Sequence, residues 1–261
     1  SILNGNTSIE EVHLGRSGLD DDGLKELCTV LHKSVTIKSL NLSGNYFTES
    51  GANSLRDALS GNNVLEEVDL STTVMGIPID LPLFLSPTAL QRLFHHEGER
   101  AVGRAAEAFN TLFGISSLAT VGIEEIADAI RTPKIFQLYY HKDKALTWSM
   151  IDRCLDAGFD ALALTVDTIV GGNRERDLWT GFTSPPKLTP SSLLSFATHP
   201  SWTLNYLLRN PFELSNLKDH VAEGSNISIS VSDYFSTMLD QSMGWDAAAE
   251  VRRRWGKAFC L

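Results

Sequence analysis

Side chains able to bind and orient a small polar molecule stand in five places at, or just past, the ends of short apolar runs. They are Ser86-Pro87-Thr88-Ala89, Ser116-Ser117, Gln137 with Tyr139, Thr165 with Asp167, and Arg174. The runs themselves, Leu83–Leu85, Leu112–Ser116, Ile135–Tyr139 and Ala161–Val166, have the length and composition of buried parallel strands. Residues at the carboxyl ends of several such strands converge above one packed core, so the five groups read as a single enzyme face. Each group alone has a plainer reading. Ser116 or Thr165 would satisfy backbone at a strand end, and Asp167 would cap a loop or helix. Arg174, inside Asn173-Arg174-Glu175-Arg176-Asp177, would join a surface ion-pair network. Only the joint pattern carries the functional reading.

The elements that must position these residues alternate. Helical patterns near Glu97–Phe109, Ile123–Ile130, Leu146–Ala157 and Trp245–Trp255 separate the strand-like runs, and a fifth run, Ala258–Leu261, closes the sequence. Strand and helix alternation predicts an α/β fold with a parallel sheet, here a partial TIM (β/α)8 barrel of about its first four to five strands. Between about residues 173 and 243 the alternation gives way to a Ser-, Pro- and Thr-rich segment that includes Thr183-Ser184-Pro185-Pro186-Lys187-Leu188-Thr189-Pro190. Long insertions of this kind act as lids or binding loops. The chain starts without Met and stops within a strand-like run, so it is expected to be a piece at both ends, with an open sheet edge that favours self-association.

Residues 1–70 obey a different rule. Ile9-x-x-Val12-x-Leu14, Ile37-x-x-Leu40-x-Leu42 and Leu65-x-x-Val68-x-Leu70 superpose, and Leu24, Leu27 and Leu31 match Ala52, Leu55 and Leu59 at helical spacing. Two whole units and the start of a third are visible, each one strand and one helix. This region resembles the leucine-rich repeats of the long, ribonuclease-inhibitor-like form. Leu40-Asn41-Leu42-Ser43-Gly44-Asn45 carries the Asn that the family uses in its backbone ladder, while the first unit has Ser17 there. The expected organisation is a short α/β repeat solenoid over 1–70 and an incomplete barrel over 71–261. Eleven acidic side chains against five basic ones fall in the repeats, a surface that suits a basic protein partner or is simply solvated.

A formal net charge of -10 excludes a broad nucleic-acid or anionic-membrane footprint. Arg252-Arg253-Arg254 reads as cations at a helix C-terminus. Cys28, Cys154 and Cys260 lack CxxC spacing and read as buried free thiols of a reducing, cytoplasmic setting. Peripheral membrane association is compatible with the sequence, whereas no apolar run suffices to span a bilayer. No metal is expected, because His95-His96-Glu97 has no second His at helical spacing. Gly171-Gly172 reads as a turn.

Phe136-Gln137-Leu138-Tyr139, Ala163-Leu164-Thr165-Val166-Asp167-Thr168 and Gly172-Asn173-Arg174-Glu175-Arg176-Asp177, with Leu85-Ser86-Pro87-Thr88-Ala89 and Ser116-Ser117, resemble the FMN-dependent 2-hydroxy-acid dehydrogenases and oxidases. That is the family of glycolate oxidase and L-lactate dehydrogenase. Phe182–Leu188 and His199-Pro200-x-Trp202 look most like its bacterial L-lactate dehydrogenase branch. The resemblance runs from about Val68 to the last residue. It implies FMN as cofactor, with Pro87, Thr88 and Ala89 against the isoalloxazine and Ser116, Gln137 and Thr165 at its pyrimidine edge. Tyr139 and Arg174 would hold the substrate hydroxyl and carboxylate, and Asp167 would orient a base His. That His, a second Arg, the phosphate loops and a flavin-facing Lys belong to later strands and would follow Leu261.

Two departures bear on specificity. Leu118 stands where many oxidases have Trp, so the acyl side of the pocket it lines is expected to be wider or differently shaped, and Trp179 stands where the lactate branch often has Arg. The implied reaction is oxidation of a small L-2-hydroxy acid, L-lactate foremost, to the keto acid, by an enzyme that is a homo-oligomer when complete. The electron acceptor is undetermined, and the chain by itself is expected not to turn over. The alternative is a repeat module that binds a protein partner, fused to a non-catalytic half-barrel. A third reading takes the joint as an artefact, since Glu67-Val68-Asp69-Leu70-Ser71 fits both patterns at once.

Overall fold

A computed structural model describes residue 3 and residues 5–167, 175–180, 189–209, 213–217 and 237–261. The chain forms two compact units, Ser1–Leu83 and Phe84–Leu261.

In the first unit, β1 (Glu11–His13), α1 (Asp21–Leu31), β2 (Ser39–Asn41), α2 (Glu49–Ser60) and β3 (Glu67–Asp69) follow in turn. The three strands pair in parallel in the order β1-β2-β3, with Val12 opposite Leu40 and Leu40 opposite Val68. The repeat registers therefore stack one on the next, and their apolar positions, Leu24, Leu31, Leu40 and Leu42 among them, make one buried cluster. Asn45 locks the stack. Its Nδ2 donates to Leu14 O (2.7 Å) and Leu42 O (2.9 Å), while its Oδ1 accepts from Leu19 N (3.0 Å). Ser17 donates to Leu14 O at 2.7 Å, so the shorter side chain still serves the same carbonyl. Residues β4 (Thr72–Val74) and β5 (Ile77–Ile79) then form an antiparallel hairpin. Its two-residue turn has φ of 53° at Met75 and 81° at Gly76, the mirror-image turn that matches strand twist.

In the second unit, β6 (Phe84–Leu85), β7 (Leu112–Ser116), β8 (Lys134–Leu138), β9 (Ala161–Leu164) and β10 (Ala258–Cys260) make one parallel sheet with the strands in sequence order. The crossovers between β6 and β9 run through α3 (Glu99–Ala108), α4 (Ile123–Ala129) and α5 (Lys144–Asp156). Every residue of β7 is buried, as a strand covered on both faces requires. Phe113, Ile115, Phe136, Leu138, Leu162 and Leu164 build a core with helix residues such as Ile126, Met150 and Cys154. The sequential parallel order is that of a (β/α) barrel.

The long segment between β9 and β10 departs from the irregular loop its composition suggested. It holds α6 (Glu175–Thr180), α7 (Pro190–Thr198), α8 (Pro200–Leu207) and α9 (Trp245–Trp255). Only α9 was legible beforehand. Helix α7 starts on a capping box, Thr189 with Ser192, and has Pro190 at its first position, so turn-forming residues here begin a helix. The stretch Thr183–Leu188, Gly171-Gly172 and His220 lie outside the described residues. The segment returns to the sheet through a clasp. His141 and Leu239 form an antiparallel bridge, Lys142 N donates to Met238 O (2.9 Å), and Lys144 Nζ pairs with Asp240. Lys144 and the Ser242 donors hold the Asp240 carboxyl down at about 2.

Candidate active site

The carboxyl ends of β7, β8 and β9 bring three of the expected residues, Ser116, Gln137 and Thr165, into one row. Ser116 ends β7 opposite Gln137 of β8, and Thr165 follows β9 with its N–H on Leu138 O (2.9 Å). Their side chains connect across the strand tops. Ser116 Oγ donates to Gln137 Oε1 (2.9 Å), and Gln137 Nε2 donates to Thr165 Oγ1. Leu118 N donates to Ser116 Oγ (3.2 Å), which fixes the direction of the row. An amide has two N–H groups and a hydroxyl one hydrogen, so Gln137 and Thr165 each keep one donor for a partner beyond the row.

Ser117 does a different job from Ser116. Fully buried, it donates from Oγ to Gln137 O (2.7 Å) and accepts from Tyr139 N (3.1 Å), so it ties down the backbone on both sides of Leu138. The direction in which Gln137 and Tyr139 leave β8 is thereby set. Tyr139 is half-buried and packs against the core. With Tyr140, Thr165, Val166, Leu239, Asp240 and Met243 it lines a narrow recess beside the row.

At the β6 end, Ser86 and Thr88 are exposed and Pro87 and Ala89 half-buried. A Cβ at Gly114 would come within 2.6 Å of Pro87 N and 2.8 Å of Leu85 O, so only glycine lets this loop lie against β7. Leu90 adopts φ of 56° and donates its N–H to Leu118 O (3.1 Å). No acceptor among the described residues takes the Ala89 N–H. Below the loop, Glu99 is fully buried and accepts from Thr120 N (2.8 Å) and Thr120 Oγ (2.6 Å), anchoring the chain as it leaves β7.

The other expected site residues are placed less centrally. Leu118 is 3% exposed and belongs to the core. Asp167 is exposed, and Trp179 is 87% exposed on α6. Arg174 lies outside the described residues. Gly114, Glu99 and the Lys144–Asp240 clasp were not read from the sequence as parts of the site, and Ser117 was read there only as the neighbour of Ser116, without its hold on the β8 backbone. Their partners lie 20 to 96 residues away, where no local spacing points to them. Arg252–Arg254 do occupy the last turn of α9, and Arg254 pairs with Asp152 at 2.5 Å.

The family model for FMN-dependent dehydrogenases matches residues 62–261. The chain belongs to that family. Among FMN-dependent dehydrogenases and their kin, an L-lactate oxidase from Nostoc sp. (strain PCC 7120 / SAG 25.82 / UTEX 2576) is 35% identical over 186 residues, 70% of this chain and 45% of the relative. Glycolate oxidase 1 from Zea mays is 42% identical over 125 residues, 48% of this chain and 34% of the relative. The solved structure of (S)-mandelate dehydrogenase, a monotopic membrane protein, superposes with a TM-score of 0.66 at 28% identity and covers 73% of this chain and 50% of its own. The chain thus spans half or less of the length of these relatives. A leucine-rich repeat model matches residues 5–28.

The family's cofactor is FMN, and this chain's residues fit its ring. A flavin edge alternates carbonyl acceptors with one N–H, and desolvating it requires fixed donors. The remaining donors on Gln137 and Thr165 and the Ala89 N–H, at three strand ends of one sheet, are of the kind such an edge requires.

Proposed function

We propose that the protein containing this chain oxidises a small L-2-hydroxy acid, L-lactate foremost, to the 2-keto acid. The observation that carries the proposal is the hydrogen-bonded row Ser116–Gln137–Thr165. Pro87, Thr88, Ala89, Ser116, Gln137 and Thr165 would hold the isoalloxazine of FMN, and FMN when bound supplies the two-electron acceptor for the substrate's Cα hydrogen. Tyr139 hydrogen-bonds the substrate hydroxyl, and Arg174 clamps its carboxylate as a bidentate fork. Asp167, solvated in this chain, orients a base His that falls on a later strand of the family fold. Leu118 bounds the substrate side of the pocket from within the core.

The repeats, 1–70, are assigned to a protein partner and the barrel portion, 71–261, to catalysis. The complete enzyme is a homo-oligomer in the cytoplasm or at a membrane surface. Among the described residues no helix is long and apolar enough to cross a membrane.

The test is titration of the full chain with FMN and with lumiflavin, which has the ring but no phosphate, read by flavin fluorescence. Saturable quenching by both, without turnover of L-lactate, is expected. Absence of quenching with either refutes the flavin reading. Retention of a protein partner by residues 9–70 together with that absence supports the repeat-module alternative.

A further inference from the structure

Gln91 sits one turn beyond the Ser86–Ala89 loop, 8% exposed, at the start of a short 3-10 helix, Gln91–Leu93. Its Nε2 reaches back to Thr88 O at 3.3 Å, while its Oε1 is buried with no hydrogen-bond partner. The orientation of the amide is fixed by its surroundings, since turning it over would set Oε1 against the Thr88 carbonyl. A buried acceptor left unpaired destabilises a fold, and an apolar side chain of the same shape would remove that cost. The arrangement opposes stability, so its benefit has to be sought in what the amide holds.

It holds one half of a peptide plane. Thr88 C=O and Ala89 N–H belong to the same trans peptide and point in opposite directions. Anchoring the carbonyl on Gln91 therefore aims the Ala89 N–H the other way. The neighbouring peptides are held independently, by the close fit of Pro87 on Gly114 and by Leu90 N on Leu118 O. Among the described residues no backbone hydrogen bond fixes the 88–89 peptide, and Gln91 supplies a side-chain restraint on it.

We propose that Gln91 is a positioning residue that orients the Ala89 N–H toward the flavin. This rests on the flavin reading above. Gln91 touches neither cofactor nor substrate and acts through the Thr88 carbonyl. It keeps the donor preorganised, so no free energy of ordering is spent when the ring arrives.

The experiment compares the full chain with its Gln91→Met variant by thermal melting and by lumiflavin titration. Met fills the same volume without an amide, so the melting temperature is expected to equal or exceed that of the parent. Lumiflavin is expected to bind about tenfold more weakly, with its bound-state absorption bands moved toward those of the free flavin. A residue that merely supports the fold predicts the opposite pattern, and a lowered melting temperature with unchanged flavin affinity and spectrum overturns the proposal. Should the Met variant not fold, Gln91→Leu carries the same comparison, because it is uncharged, of similar size and likewise lacks the donor facing Thr88. If the parent chain itself binds no lumiflavin, the flavin reading falls and this inference with it, an outcome distinct from equal binding by parent and variant.

Discussion

Replacing Gln137 separates the structural from the chemical role of the row at the strand ends. Gln137→Met removes both side-chain hydrogen bonds, to Ser116 and to Thr165, each worth about 0.5–1.5 kcal/mol net. A loss of about 2 kcal/mol in a unit of this size lowers its melting temperature by roughly 4–8 °C. Gln137→Glu behaves differently. A carboxylate still accepts from Ser116, and the Thr165 hydroxyl can rotate to donate to it, so the row closes again with its polarity reversed at one end. Stability should therefore stay within about 1 kcal/mol of the parent. The outward donors are gone, however. The amide N–H no longer exists, and the Thr165 hydrogen is engaged within the row. Isoalloxazine binding should fall more in the Glu variant than in the Met variant although the Glu variant is the more stable protein. Tryptophan fluorescence is a clean probe of unfolding, because Trp148, Trp179, Trp202, Trp245 and Trp255 all belong to the second unit. Lumiflavin quenching reads the site. A Glu variant that melts as low as the Met variant, or that binds lumiflavin like the parent, would refute the donor arithmetic.

Three further outcomes are expected. Gly114→Ala drives a methyl into Pro87 and Leu85 backbone, and should cost about 1–3 kcal/mol by urea unfolding while abolishing lumiflavin binding. Asp240 has its pKa depressed from 3.8 to about 2 by Lys144 and Ser242, so it stabilises the fold above pH about 4 and that contribution disappears as pH falls toward 2. With Lys144 39% exposed the pair is partly screened. Asp240→Asn should remove about 1 kcal/mol at pH 7 and nothing at pH 2, and equal losses at both pH values would contradict this account. Asn45→Ala deletes the bonds that join adjacent repeats and should destabilise the first unit by about 2–4 kcal/mol, read as faster amide exchange across residues 9–31 with the second unit unchanged.

How much of this was legible in advance depended on whether the information was local. The 28-residue spacing of the repeats survives as hydrogen bonds between positions 28 apart, such as Asn41 to Asp69, because identical registers must stack. The buried strands announced themselves as unbroken apolar runs, and the polar residues after them as a common end of one sheet. Helices α7 and α8 were hidden because Ser, Thr and Pro signal a turn and a helix start equally well, and only the Thr189–Ser192 capping box decides between them. Leu118 follows a buried strand and packs into the core, and spacing alone gives no sign of which way such a leucine turns. Ser117, Glu99 and Gln91 are single polar residues whose importance lies in which carbonyl or N–H they meet, and spacing carries no trace of that.

The clasp at Leu239–Asp240 changes the energetics of everything between β9 and β10. Because the returning strand is secured on the β8–α5 turn before it reaches the sheet, the entropy of closing the excursion is met at its base, and doubling the intervening length would add only about 0.6 kcal/mol. Evolution can therefore enlarge, shorten or exchange that stretch while the strand ends that carry Ser116, Gln137 and Thr165 keep their places. A grafting experiment would begin at those same two anchor points.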